Sequence, residues 1–231
     1  MNIKGIHKTS LIDFPGRICS VFFTGGCNLR CGYCHNPELA CNSGSLRLYS
    51  NDEALGFIKK RRGFIDGVTI SGGEPTISRN LESFIGAVKE MSMAVKIDTN
   101  GLNPEVVARL VDKALVDYIA IDIKTSPQKY DFVVGRQVDF SRVIETVETV
   151  KSSGLEYELR TTCIPKYVKL EDFGSIGAAL GRVKRYYLQQ FVADVTLDES
   201  FHNLKPYPVE TLYGFREYVA TFADLCELRG V

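Results

Sequence analysis

Cys27, Cys31 and Cys34 stand at C-x3-C-x2-C spacing beside Gly25 and Gly26, and no other stretch of this chain gathers as much chemistry. Three thiolates this close can hold three corners of a cubic [4Fe–4S] cluster, which normally takes four Cys ligands. The remaining iron is then open to a substrate or cofactor, which turns an electron carrier into a catalyst. The rival is zinc held by the three thiols and His35, since zinc favours four S or N ligands. Zinc sites, however, usually pair CxxC knuckles with a second ligand pair further along. None exists here, and His35 directly follows Cys34, an awkward arrangement for two ligands of one tetrahedral ion. A disulfide framework fits poorly with seven cysteines, an odd count, in 231 residues. Cys19, Cys163 and Cys226 lie on apolar segments and read as core residues. Cys41 reads as a spare thiol.

Further polar residues sit where apolar runs end. Ser71-Gly72-Gly73-Glu74-Pro75 follows one such run, and its two glycines permit unusual φ angles and close backbone approach. Asp98-Thr99-Asn100-Gly101 and Asp122-Ile123-Lys124 end two more, and Arg160 lies within another. Each alone reads as a turn or a solvated strand end; together they bring two carboxylates and two cations to one place. Lys124 and Arg160 offer donors for a carboxylate or ribose oxygens, Arg as a planar fork. Asp98, Thr99 and Asp122 offer oxygen ligands of the kind a hard cation takes.

The elements that must position these residues follow from periodicity. Strands are expected at Ile18–Phe23, Val68–Ser71, Val95–Asp98, Tyr118–Ile123, Glu156–Cys163 and Arg185–Val192. Helical patterns fall between them, at about 51–62, 79–92, 104–114, 140–153, 170–181 and 209–229. Ser50-Asn51-Asp52-Glu53 has the form of a capping box. Pro104 at a helix start and Gly154 after a helix end obey the usual asymmetry. Repeated β-then-α order implies a parallel sheet with right-handed crossovers, and about six units suit an incomplete (β/α) barrel. Ligand groups then gather at the carboxyl ends of the strands, where the motifs above fall. No linker or repeat divides residues 1–231, which read as one domain with its cluster loop at 24–36.

Composition agrees with an ordinary globular enzyme. The hydrophobic fraction is 45%, and Lys+Arg and Asp+Glu are both 28, leaving no electrostatic footprint for bulk nucleic acid binding. No apolar run reaches membrane-spanning length, and the N-terminus has no apolar signal region. Free thiols and a reducible cluster point to a reducing compartment, so a cytoplasmic location is expected.

The ordered motifs Cys27–Asn36, Ser71–Pro75, Asp98–Gly101 and Asp122–Lys124 resemble those of the radical S-adenosylmethionine (SAM) enzymes, in particular the glycyl-radical-enzyme activases. The opening Lys4–Gly16 looks like the start of the anaerobic ribonucleoside-triphosphate reductase activating group, relatives of the pyruvate formate-lyase activating enzymes. The resemblance spans about residues 3–165. At Gln189-Gln190-Phe191-Val192 the chain has no His in register with the one the pyruvate formate-lyase branch carries there.

What the resemblance implies is specific. The fold would be an α/β, single-domain partial (β/α)6 barrel of the radical SAM type. Cys27, Cys31 and Cys34 would hold the [4Fe–4S] cluster, whose open iron binds SAM. Gly72, Gly73 and Glu74 would meet the methionyl amino group. Tyr33, His35, Asn36, Asp98, Asp122, Lys124 and Arg160 would complete the SAM site, with a monovalent cation as a candidate at Asp98, Thr99 and Asp122. A flavodoxin or ferredoxin would supply one electron. The 5′-deoxyadenosyl radical would then take a hydrogen atom from a glycine of a partner enzyme, an anaerobic ribonucleotide reductase being the expected one. Two other readings stay open: a radical SAM enzyme acting on a small molecule or modified-nucleoside precursor, and a non-enzymatic iron–sulfur or zinc module.

Overall fold

In the computed structural model, which describes residues 1–231, eight strands form one sheet in sequence order. β1 (Ile3–Ser10) runs antiparallel to β2 (Cys19–Thr24). β3 (Gly67–Gly72), β4 (Ala94–Thr99), β5 (Tyr118–Asp122), β6 (Glu156–Cys163), β7 (Val183–Gln190) and β8 (Ala223–Arg229) follow, all parallel to β2. β1 and β8 do not pair, so the barrel is partial. Helices α1 (Pro37–Ala40), α2 (Asn51–Lys60), α3 (Leu81–Glu90), α4 (Pro104–Asp112), α5 (Tyr130–Val134), α6 (Ser141–Ser152), α7 (Leu170–Leu180) and α8 (Val209–Val219) fill the connections.

The local signals act as their chemistry dictates. Ser50 Oγ accepts from the Glu53 N–H at 3.1 Å, and the Glu53 carboxylate accepts from the Ser50 N–H at 2.8 Å, closing the capping box of α2. Pro104 opens α4, and Gly154 takes φ +74 just after α6. The main core lies between strands and helices and includes Val68, Ile70, Val95, Ile97, Ile119 and Ile121. No helix is long and apolar enough to cross a membrane.

The barrel's inner face changes character along the strands. At the N-terminal ends Phe14, Cys19, Val21, Ala94 and Tyr118 form a small apolar plug. One or two layers higher the inward positions become Lys96, Asp98, Asp122, Glu158 and Arg160, joined by ion pairs. Charge is thus concentrated toward the carboxyl ends of the strands, where a ligand is expected.

Two strands go beyond the expected six. β1 is a half-exposed edge strand with a Gly and two Lys among its residues, so it lacks the apolar alternation that marks a strand. The pattern read as one helix over 209–229 is α8 followed, after a turn, by β8. Only Ala223 of β8 is fully buried, so the segment offers little strand signal of its own.

Candidate active site

A cavity of about 450 Å³ opens at the carboxyl ends of the strands. Cys27, Cys31, Tyr33, Cys34, His35, Asn36, Gly72, Gly73, Glu74, Asp98, Thr99, Asp122, Lys124 and Arg160 all line it. The separate strand-end motifs therefore share one address, as their positions in the chain predict.

The two glycines after β3 serve the cluster loop directly. The Gly73 N–H donates to the Thr24 carbonyl at 2.8 Å, and the Glu74 N–H donates to the Gly26 carbonyl at 2.8 Å. A Cβ on Gly73 would stand 1.9 Å from the Gly26 oxygen, and one on Gly72, at φ +114, would stand 2.5 Å from the Thr24 nitrogen. The turn after β3 thus packs closely on the cluster loop.

The Glu74 side chain is likewise engaged within the chain. It is 1% exposed; one carboxylate oxygen accepts from the Thr99 hydroxyl at 2.8 Å and the Thr76 N–H at 3.1 Å, the other from the Asn100 N–H at 2.7 Å. Burial raises its pKa while these hydrogen bonds oppose the rise. The carboxylate ties the end of β3 to the end of β4. In Glu74→Gln the amide NH2 would have to face an N–H or hydroxyl donor, so urea unfolding should show a loss of about 1–3 kcal/mol.

The charged residues form a continuous network. Arg160 Nε donates to Asp122 at 2.8 Å and its Nη1 lies 3.4 Å from Asp98. Lys96 also pairs with Asp98, Ser71 Oγ donates to Asp98 at 2.9 Å, and Lys124 Nζ donates to Asp122 at 3.0 Å. Burial opposes charge on Asp122, but Arg160 and then Lys124 hold its carboxyl well below the usual range. Burial also opposes the Lys124 ammonium, yet Asp122 and Cys31 raise it above its ordinary value. Arg160 thus bridges the Asp98 and Asp122 carboxylates, and Thr99 turns its hydroxyl to Glu74.

Cys27, Cys31 and Cys34 all line the cavity, a set of three thiols of the kind a [4Fe–4S] cluster takes at its irons. His35 packs edge-on against Phe191 at 5.8 Å, and burial followed by Lys124 lowers its pKa. Burial pushes the Cys27 thiol up to about 12 even with the Leu29 N–H directed at its sulfur, so metal loading must displace a proton. Cys41 is exposed, and Cys19 and Cys163 are buried. Cys41→Ala is expected to leave iron content after reconstitution unchanged, as read by iron and sulfide assay.

Two lining residues carry no motif: Thr162 and Gln189 pair across β6 and β7 and face the cavity. A lone Thr or Gln at a strand end has no distinguishing spacing; only the sheet register brings them to the site. Within the Asp98–Gly101 motif, Asn100 donates through its side-chain amide to Asn28 at 2.7 Å.

Comparison with known proteins gives a consistent result. Residues 21–174 match the Radical SAM superfamily. A protein of Methanocaldococcus jannaschii named as a glycyl-radical enzyme activating enzyme is 34% identical over 215 residues, 90% of this chain and 87% of its own. The pyruvate formate-lyase-activating enzyme of Clostridium pasteurianum is 30% identical over 172 residues, 71% of this chain and 68% of its own. Streptococcus suis SuiB bound to S-adenosylmethionine has the same fold, with TM-score 0.66 and 18% identity over 89% of this chain; the match spans 48% of that longer chain.

Proposed function

The chain belongs to the radical SAM superfamily, with glycyl-radical enzyme activating enzymes among its relatives, and from that membership we propose that it installs a glycyl radical on anaerobic ribonucleoside-triphosphate reductase. The observation that supports the radical SAM chemistry is the convergence of Cys27, Cys31 and Cys34 with the Gly72–Glu74 turn and the Asp98–Asp122–Lys124–Arg160 network around one cavity, and the choice of partner rests on the resemblance of Lys4–Gly16. Enzymes of this family use a [4Fe–4S] cluster and S-adenosylmethionine, which when bound supply a reductively generated hydrogen-atom abstractor.

The chain's own residues bind, orient and shield. The three thiolates hold the cluster, and the Gly73–Thr24 and Glu74–Gly26 hydrogen bonds fix their loop against β3. With the Glu74 side chain committed, the glycine turn meets the SAM amino group through its backbone. Lys124 has one recorded partner, Asp122; an ammonium has three donors, so it can also bind the SAM carboxylate or a ribose oxygen. Arg160 keeps Asp122 charged and Lys124 oriented. Tyr33, His35 and Asn36 form the adenine side. Thr162 and Gln189 line the cavity where the partner's glycine loop would enter.

The experiment supplies reconstituted, reduced protein and SAM with purified anaerobic reductase, or with pyruvate formate-lyase, and records the glycyl-radical EPR signal. Growth with the reductase is expected. Growth with the lyase alone would overturn the choice of partner. Stimulation of 5′-deoxyadenosine formation by metabolite fractions and by neither protein would favour a small-molecule substrate.

A further inference from the structure

The β1–β2 hairpin turns two large apolar side chains into solvent: Leu11 is 72% exposed and Ile12 86%. The backbone on either side holds them there. Ser10 Oγ accepts from the Ile12 N–H at 3.2 Å and the Asp13 N–H at 3.1 Å, and the Thr69 hydroxyl donates to the Asp13 carbonyl at 3.3 Å. Phe14, next along, is buried in the apolar plug of the barrel. A loop anchored at Ser10, Asp13 and Phe14 leaves Leu11 and Ile12 outside the core.

A second loop completes the face. The segment after α2 meets the hairpin through the Arg61 guanidinium, which donates to the Thr9 hydroxyl at 2.6 Å. It meets it again at Asp66, whose carboxylate accepts from the Ile18 N–H at 2.9 Å while its own N–H donates to the Ile18 carbonyl at 2.7 Å. This loop adds Phe64, also largely exposed. The same two segments carry Lys8, Arg17, Lys59, Lys60, Arg61 and Arg62. None of the six is ion-paired, whereas Lys89, Arg109 and Lys113, farther along the chain, all are. The carboxylates of residues 7–18 and 57–66 are Asp66, bonded as above, and Asp13, which lines the active-site cavity. A chain of zero net charge thus has one cationic face with apolar side chains in it.

We infer that this face docks the protein whose glycine enters the cavity, against an acidic surface that receives Leu11, Ile12 and Phe64 in apolar sockets. The inference rests on the partner being a protein, as in the proposed function. Charge, composition and position select this occupant. Unpaired cations leave their field free to steer an incoming acidic surface and to fix its register. Apolar residues within a charged rim are the arrangement of a protein interface. Asp13 sets the hairpin against the cavity, so whatever covers Leu11 and Ile12 stands beside the site. A second copy of the chain fits poorly, because a two-fold contact through this face would set the six cations against their own mates.

Two exposed double variants probe the apolar and the charged parts: Leu11→Ser with Ile12→Ser, and Lys59→Glu with Arg62→Glu. Affinity for purified anaerobic reductase is measured by anaerobic calorimetry at low and high salt. Glycyl-radical EPR and partner-free 5′-deoxyadenosine formation are recorded alongside. The unaltered complex is expected to weaken as salt rises. Each variant should bind the reductase about tenfold more weakly, the charge variant should lose most of the salt dependence, and both should cleave SAM alone at the unaltered rate. An affinity unchanged in either variant overturns the inference and leaves the proposed function standing. So does loss of partner-free SAM cleavage in either, which would put the face in the cavity's own machinery. Binding to phosphatidylglycerol vesicles that both variants lose, with reductase affinity unchanged, would give the face to a membrane and overturn it as well. An unaltered protein that neither binds the reductase nor raises its radical signal overturns both readings.

Discussion

Cys31→Ala is expected to abolish cluster assembly, with 5′-deoxyadenosine formation falling to background. The chain provides three thiols at the cavity and no fourth Cys lines it, so removing one leaves a second iron without a protein ligand. Cys31 is also the most buried of the three, at 8% exposure, and no water or neighbouring side chain can substitute easily. The effect should be specific. Cys163→Ala removes a sulfur buried in the main core, and should lower stability while preserving the iron-to-sulfide ratio. Iron, sulfide and EPR measurements on both variants distinguish a ligand from a core residue. Equal cluster content in Cys31→Ala and the unaltered protein would refute the ligand assignment.

Arg160→Leu should have the largest effect on stability. It removes the cation shared by Asp98 and Asp122 and leaves Lys96 and Lys124 as their remaining partners. Breaking a buried pair by removing one member costs about 3–5 kcal/mol, because the surviving charge is left uncompensated. The dependence on pH follows from Asp122, whose charged form is opposed by burial but held by Arg160 and then Lys124, so its pKa is depressed. That depression contributes stability above the unfolded value of about 4 and is lost as pH falls toward the folded value. Without Arg160 the burial cost gains weight, the carboxyl takes up a proton at higher pH, and the penalty for its charge is relieved. The difference in urea midpoint between the two proteins should therefore be greatest near neutrality and narrow as pH falls toward 4. A difference that is constant across this range would contradict the network's electrostatic role.

The sequence makes β3 and β5 legible because each centres on a short run of apolar, largely β-branched residues that are buried. Val68–Ser71 and Tyr118–Ile123 fall within a residue or two of β3 and β5. β1 and β8 are obscured for a physical reason: edge strands owe their conformation to one neighbour, and their side chains need not alternate. For the site, spacing alone brings Cys27, Cys31 and Cys34 together, and the parallel order predicts that Gly72, Asp98, Asp122 and Lys124 join them. Direction is harder to read than location. The Glu74 carboxylate points at Thr99 and Asn100, and Arg160 reaches both Asp98 and Asp122. Both outcomes depend on register across strands, as does the arrival of Thr162 beside Gln189. No local pattern encodes such pairings.

The most direct measurement is EPR of the anaerobically reconstituted, dithionite-reduced protein, recorded with and without SAM, alongside quantification of 5′-deoxyadenosine and methionine. The account predicts a reduced [4Fe–4S] signal whose shape changes when SAM binds, with the two products formed in equal amounts. A cluster indifferent to SAM and yielding neither product, or zinc bound without sulfide, would contradict it.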